Sequence, residues 1–176
     1  MKKFAFIILC FLMIGTLSAC SFGKDDEAKV KVTEENRAYL EEYNKSLQGT
    51  IEDMNSILGV YNNGLDGIYT QEYSNEQFAK VLKEQIKESN ALIKSVESLN
   101  VKPELFQVHQ QLLALVNRSH QLLLNTIDEA NNPDQEIAKD PFRVEFLAIK
   151  QEQAVIANDW KVLAQQLVAA GENPEE

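Results

Sequence analysis

Apolar side chains recur at intervals of three and four along four stretches of the chain, the spacing that gathers them on one stripe of an α-helix, and no stretch alternates as a half-buried strand does. The first stretch begins after Thr33, whose hydroxyl suits an N-cap, with Glu34 and Glu35 in a first turn where negative charge complements the helix dipole. Leu40, Tyr43, Leu47, Ile51, Met54, Leu58 and Tyr61 form its stripe, and Asn62-Asn63-Gly64 is expected to end it. The second start is the sharpest local signal: Ser74 and Gln77 have capping-box spacing, and Tyr73 and Phe78 that of a hydrophobic staple. Its stripe is Phe78, Leu82, Ile86, Ile93 and Val96. Pro103 belongs at the first position of a third helix, with Glu104 behind it and Val101 and Phe106 spaced as another staple, and Asn131-Asn132-Pro133 ends that run. Asp140-Pro141 opens a fourth helix by the same logic, with Phe142, Phe146, Ile149, Ile156, Trp160, Leu163 and Leu167 on one face before a stop at Gly171.

Four stripes joined by short connections predict one shared core and an all-α fold, most economically an up-down-up-down antiparallel four-helix bundle over residues 33–170. Each helix would be roughly 35 to 45 Å long at about 1.5 Å per residue. Residues 171–176 read as an acidic tail, and residues 21–32, of mixed charge and without sustained period, as a flexible tether.

The segment ahead of the tether carries a different signal. Two lysines, Lys2 and Lys3, precede an apolar block of about 13 residues, shorter than the roughly 20 that cross a bilayer, which is the layout of a secretory signal peptide. It closes on Leu17-Ser18-Ala19-Cys20, which resembles the lipobox of bacterial lipoproteins. The resemblance covers residues 1–20 and implies cleavage between Ala19 and Cys20 and a diacylglyceryl group on the Cys20 sulfur; two acyl chains anchor where one does not. An ordinary leader or an uncleaved anchor would also place the domain outside the cell. Lipobox, tether and Lys- and Glu-rich helices together resemble the small helical lipoproteins of Gram-positive bacteria, a likeness of type that supplies no catalytic residues.

Cleavage would leave Cys20 as the sole cysteine, with no thiol for a disulfide or a thiolate metal site, so stability rests on packing. It would also remove two lysines and no acid, taking the formal charge from −10 to −12. That acidity argues against nucleic acid as a partner and against adhesion of the domain to anionic lipid. Glu41, Glu42, Glu52, Asp53, Asp128 and Glu129 read as a solvated face, with neither a metal nor a cofactor site expected.

Candidate chemistry is sparse. There is no Gly-rich phosphate loop, nucleophile elbow or Glu-x-x-His repeat, and no catalytic residue is expected. The two histidines, His109 and His120, differ by some 20° around the third helix and both face the core, but about 16 Å of helix rise separates them, too far for one metal ion. Antiparallel counting places Gln153 level with His120, and Gln85 near it, which predicts a polar layer of His120, Gln153 and Gln85 inside the bundle. Its role would be to fix helix register or, alternatively, to line a ligand or proton-sensing pocket. The stretch from Tyr61 to Tyr73, with Tyr69 between them, is expected either to close the bundle end or to serve as an interaction loop. The function expected is a non-enzymatic module, anchored on the extracytoplasmic face of the membrane and contacting an envelope protein. The alternative is a protein holding a small apolar or peptide ligand between its helices.

Overall fold

The computed structural model describes residues 30–132 and 136–172. All regular structure among them is helical, as expected: α1 (Glu34–Tyr69), α2 (Asn75–Glu97), a 3₁₀ turn (Pro103–Leu105), α3 (Phe106–Ala130) and α4 (Lys139–Glu172). Residues 1–29, with the expected leader, Ala19, Cys20 and most of the tether, lie outside the described residues, as do Pro133 and the tail from residue 173.

The helix starts follow from side-chain chemistry. Thr33 Oγ1 accepts from the Asn36 backbone N–H, and the Asn36 side-chain oxygen accepts from the Thr33 N–H at 2.8 Å, closing a capping box. Ser74 and Gln77 make the expected box ahead of α2. Pro103 opens the 3₁₀ turn rather than α3 itself, and this shifts the register: Leu105 takes the buried place, while Phe106, expected to staple against Val101, is half exposed. Glu129, expected on a solvated face, instead accepts from the Ala138 backbone N–H just before α4 and so ties the α3–α4 connection together.

Three boundaries depart from the pattern. Residues 30–32 are not free tether: Val30 and Val32 are half-buried against the core, and Lys31 C=O accepts from Asn36 Nδ2 at 2.9 Å. α4 passes through Gly171 to Glu172. α1 does not end at Gly64 but runs on to Tyr69, so most of the expected Tyr61–Tyr73 loop is helix. Gly64 is there for space, not as a stop. A Cβ on it would lie 2.6 Å from two ring carbons of Phe78, which is fully buried, so the missing side chain lets α2 approach α1. The actual stop is a Schellman motif, with Glu72 N–H on Gly67 C=O at 2.9 Å and Gln71 N–H on Ile68 C=O at 3.3 Å. Its left-handed position, φ 62°, is occupied by Gln71 where glycine is usual.

In the tertiary arrangement α1 packs on α2 and α4, and α3 packs on the same two, while α2 and α4 stand diagonally apart. Cross-helix partners give the directions. Along α1, residues 44, 51, 55 and 62 meet 160, 153, 150 and 143 of α4, so these helices run antiparallel. Residues 43, 54 and 61 meet 109, 119 and 126 of α3, which therefore runs parallel to α1. α2 opposes α3, with Lys83 bonded to Asn131 and Ser89 to His120. The helices are unequal: α1 and α4 have 36 and 34 residues, against 23 and 25 for α2 and α3. At about 1.5 Å per residue the long pair spans roughly 50 Å or more, beyond the expected range.

Candidate functional site

The expected polar layer of His120, Gln153 and Gln85 is not assembled; His120 and Gln153 take other partners, and Gln85 joins neither. His120 Nδ1 lies 3.0 Å from Ser89 Oγ on α2. Gln153, buried, accepts from Lys150 Nζ at 2.5 Å and donates to Ile51 C=O of α1 at 3.4 Å. Gln85, half-buried, lines a surface groove between α1 and α2. α4 thus turns Gln153 toward α1 while α3 turns His120 toward α2, and a small hydroxyl completes the pairing.

Both histidines are held neutral-leaning, since burial lowers their pKa below 6.5. His109 Nδ1 meets Tyr43 OH at 3.1 Å, and the Tyr43 ring packs 5.2 Å from that of Trp160, whose Nε1–H donates to Asn44 Oδ1 at 2.6 Å. Burial also pushes the Tyr43 phenol up, so this cluster is uncharged and joins α1, α3 and α4 at one pole. A Ser–His contact is the arrangement that activates a serine nucleophile. Ser89, however, is only 2 % exposed, so an electrophile could not reach its oxygen.

The tyrosines at the other pole divide. Tyr61 is completely buried, which removes it from any interaction loop: its ring stacks 5.8 Å from Phe146 and its hydroxyl meets Thr126 Oγ1 at 3.1 Å. The single Thr126 hydroxyl proton goes to Leu122 C=O, so Tyr61 is the donor, and burial pushes its pKa up to about 12. Tyr69 and Tyr73 are exposed, but Tyr69 donates to Asp140 at 2.6 Å and the Tyr73 ring lies against Gly67. Arg143 bonds Asn62 and Asp66 and sits over the Tyr69 ring. These groups fasten the end of α1 to the start of α4.

The surface shows what the sequence reading missed. Val144, Leu147, Val155, Val162 and Val168 of α4 are between 46 and 67 % exposed, on the side away from the core. Between them, Val144, Ala148, Gln151, Val155, Asn158, Val162, Gln165 and Ala169 follow one another at alternating steps of four and three, a heptad seam without a charge. Glu145, Glu152 and Asp159 follow its residues along one edge, and α3 offsets one of their three charges: Arg118 bonds Glu145 at 2.6 and 3.0 Å and Glu152 at 3.0 Å. α3 itself carries only Arg118, Asp128 and Glu129 as charges, whereas α1 and α2 are densely charged. Loss of charge marks the centres of protein interfaces more reliably than hydrophobicity does. The signal was present in the sequence as a second apolar period on α4, displaced around the helix from the core stripe.

The groove between α1 and α2 has a volume of about 290 Å³, with Ile57, Ala91 and Leu92 among its walls and Asp53 and Glu88 beside them. Among the described residues no three His, Cys, Asp or Glu side chains are placed to share a metal ion, and no helix is long and apolar enough to cross a membrane. Compared with protein families, with curated proteins and with solved structures, the chain finds no match.

Proposed function

We propose that this chain is a lipid-anchored protein of the extracytoplasmic membrane face whose bundle serves as a non-enzymatic interaction module of the cell envelope, presenting the outer face of α4 to a protein partner. The observation that carries the reading is the uncharged, valine-studded seam of α4 on a chain of net charge −10. An uncharged strip carrying exposed valines is less well solvated than the charged faces around it and is retained where another protein covers it. The Leu17-Ser18-Ala19-Cys20 motif supports the anchoring. Lipidation would restrict the bundle to a thin layer above the membrane, where even a modest contact surface is occupied.

Two experiments test this. Membrane fractionation of the wild type against Cys20→Ala is expected to move the variant to the soluble fraction; identical fractionation would sink the anchoring. A photoreactive side chain at position 155 or 162 in the anchored protein is expected to capture a defined protein, and the same group at exposed Lys87 is not. The α1–α2 groove favours a second reading, a small apolar or peptide ligand held between helices. That reading requires a ligand whose binding raises the unfolding temperature and is lost in Leu92→Asp.

A further inference from the structure

We infer that the occupant of the α4 face is a second copy of this chain, docked in parallel about a two-fold axis running along the seam. Its parallel arrangement agrees with the anchoring proposed above, but the contact itself is argued from the seam.

A two-fold contact sets each residue near the axis against itself, so the surface must be complementary to itself. The seam has this property along its whole length. Val144, Val155 and Val162 would meet their own copies as apolar pairs, and Gln151, Asn158 and Gln165 would meet theirs as amides, each carrying both a donor and an acceptor. These three side-chain amides have no hydrogen-bond partner among the described residues, so pairing them breaks no bond among those residues. An acidic protein that meets itself must do so where it is least acidic, and α4's seam is uncharged while Arg118 offsets one of the two charges beside it on Glu145 and Glu152.

The edges select the orientation. In an antiparallel pair the row Glu145, Glu152 and Asp159 would face its own copy, acid against acid. In a parallel pair that row faces the opposite edge, Leu147, Ala154 and Lys161, which carries no acid. Parallel bundles also keep both α1 starts at the same end, as two chains rooted in one membrane require.

The size of the seam sets the strength. From Val144 to Ala169 it runs roughly 38 Å, and with a helix about 10 Å across it covers about 400 Å² per copy, near half of a standard interface side. Such a dimer is weak in dilute solution and is populated when an anchor concentrates the chains in two dimensions.

The test uses the anchored full-length protein. A parallel two-fold axis brings a residue on the seam and its own copy within disulfide range, which an antiparallel or offset contact does not do along the whole seam. Under mild oxidation of membranes, Val155→Cys and Val162→Cys should each give a covalent species of twice the chain mass, and Lys87→Cys should not. Adding Val155→Lys to Val162→Cys should reduce that species at least tenfold while the unfolding temperature stays unchanged, separating contact from folding. Absence of the dimer from both single variants, or a crosslinked product of another mass, overturns the second copy. The failures are distinguishable. If Cys20→Ala fractionates like the wild type but the disulfides form, the anchoring is wrong and the dimer stands; if anchoring holds and the disulfides do not form, the dimer is wrong.

Discussion

Gln71 sits in the left-handed region at the end of α1, where a side chain with a Cβ is strained by roughly 1 kcal/mol. Gln71→Gly is therefore expected to raise stability by about 0.5 to 1 kcal/mol in urea titrations, with the Schellman bonds kept. The glycines of α1 are expected to behave oppositely to one another. Gly59 is exposed, and a Cβ added to it would meet nothing within 4 Å, so Gly59→Ala should stabilise by up to about 1 kcal/mol through helix propensity alone. At Gly64 the same methyl would strike the Phe78 ring at 2.6 Å, and Phe78 is fully buried against the Tyr61 ring, so overpacking of roughly 1 to 3 kcal/mol outweighs the propensity gain. Equal stabilisation by both substitutions would show that α2 does not approach α1 as closely as described.

At the scale of elements, small hydroxyls join helices that the apolar stripes merely bring near. Tyr61 of α1 donates to Thr126 of α3, which in turn donates to Leu122 C=O. The asymmetry is testable: Thr126→Val strands a buried phenol and should cost about 1 to 3 kcal/mol, whereas Tyr61→Phe leaves Thr126 still bonded and should cost less. The reverse order in thermal unfolding would put the proton elsewhere. The starts of α1 and α2 were legible because Thr33, Ser74 and Gln77 act within four residues of the backbone they cap. The stop of α1 was not, because Gly64 carries the usual signal at a place where the structure needs space, and Gln71 terminates the helix without that signal. The polar layer failed for a related reason. Counting residues predicts the level of His120 and Gln153 along the bundle but not the direction each faces across it, and Ser89 and Thr126 are too small to stand out in an apolar stripe. The α4 seam was open to reading, since its 4-3 spacing lies in the sequence, but the stronger core stripe on the same helix drew the pattern to itself.

Over the whole molecule the two histidines, one in each half of α3, make stability depend on acid. Burial lowers both pKa values below 6.5, so the unfolded chain binds protons more readily than the folded one. Their contribution is fully present above about pH 6.5 and is lost as pH falls through the lower, folded values. Urea midpoints should fall between pH 7 and pH 5, and the double substitution His109→Gln and His120→Gln should flatten that fall; an unchanged slope would assign it to carboxylates. The packing of Val30 and Val32 against the core has a different, mechanical consequence. If Cys20 holds the lipid, only about ten residue steps separate the anchor from the first packed side chain, a leash of roughly 35 Å when taut. Adding about 13 Å for the four steps from Val30 to Glu34 and about 54 Å for the 36 residues of α1, the far pole around Tyr69 then cannot rise more than roughly 100 Å above the bilayer. Under that anchoring the reach of the molecule is bounded, and a partner fixed farther out is beyond it, while one whose contact surface stands within that height of the same membrane can be met.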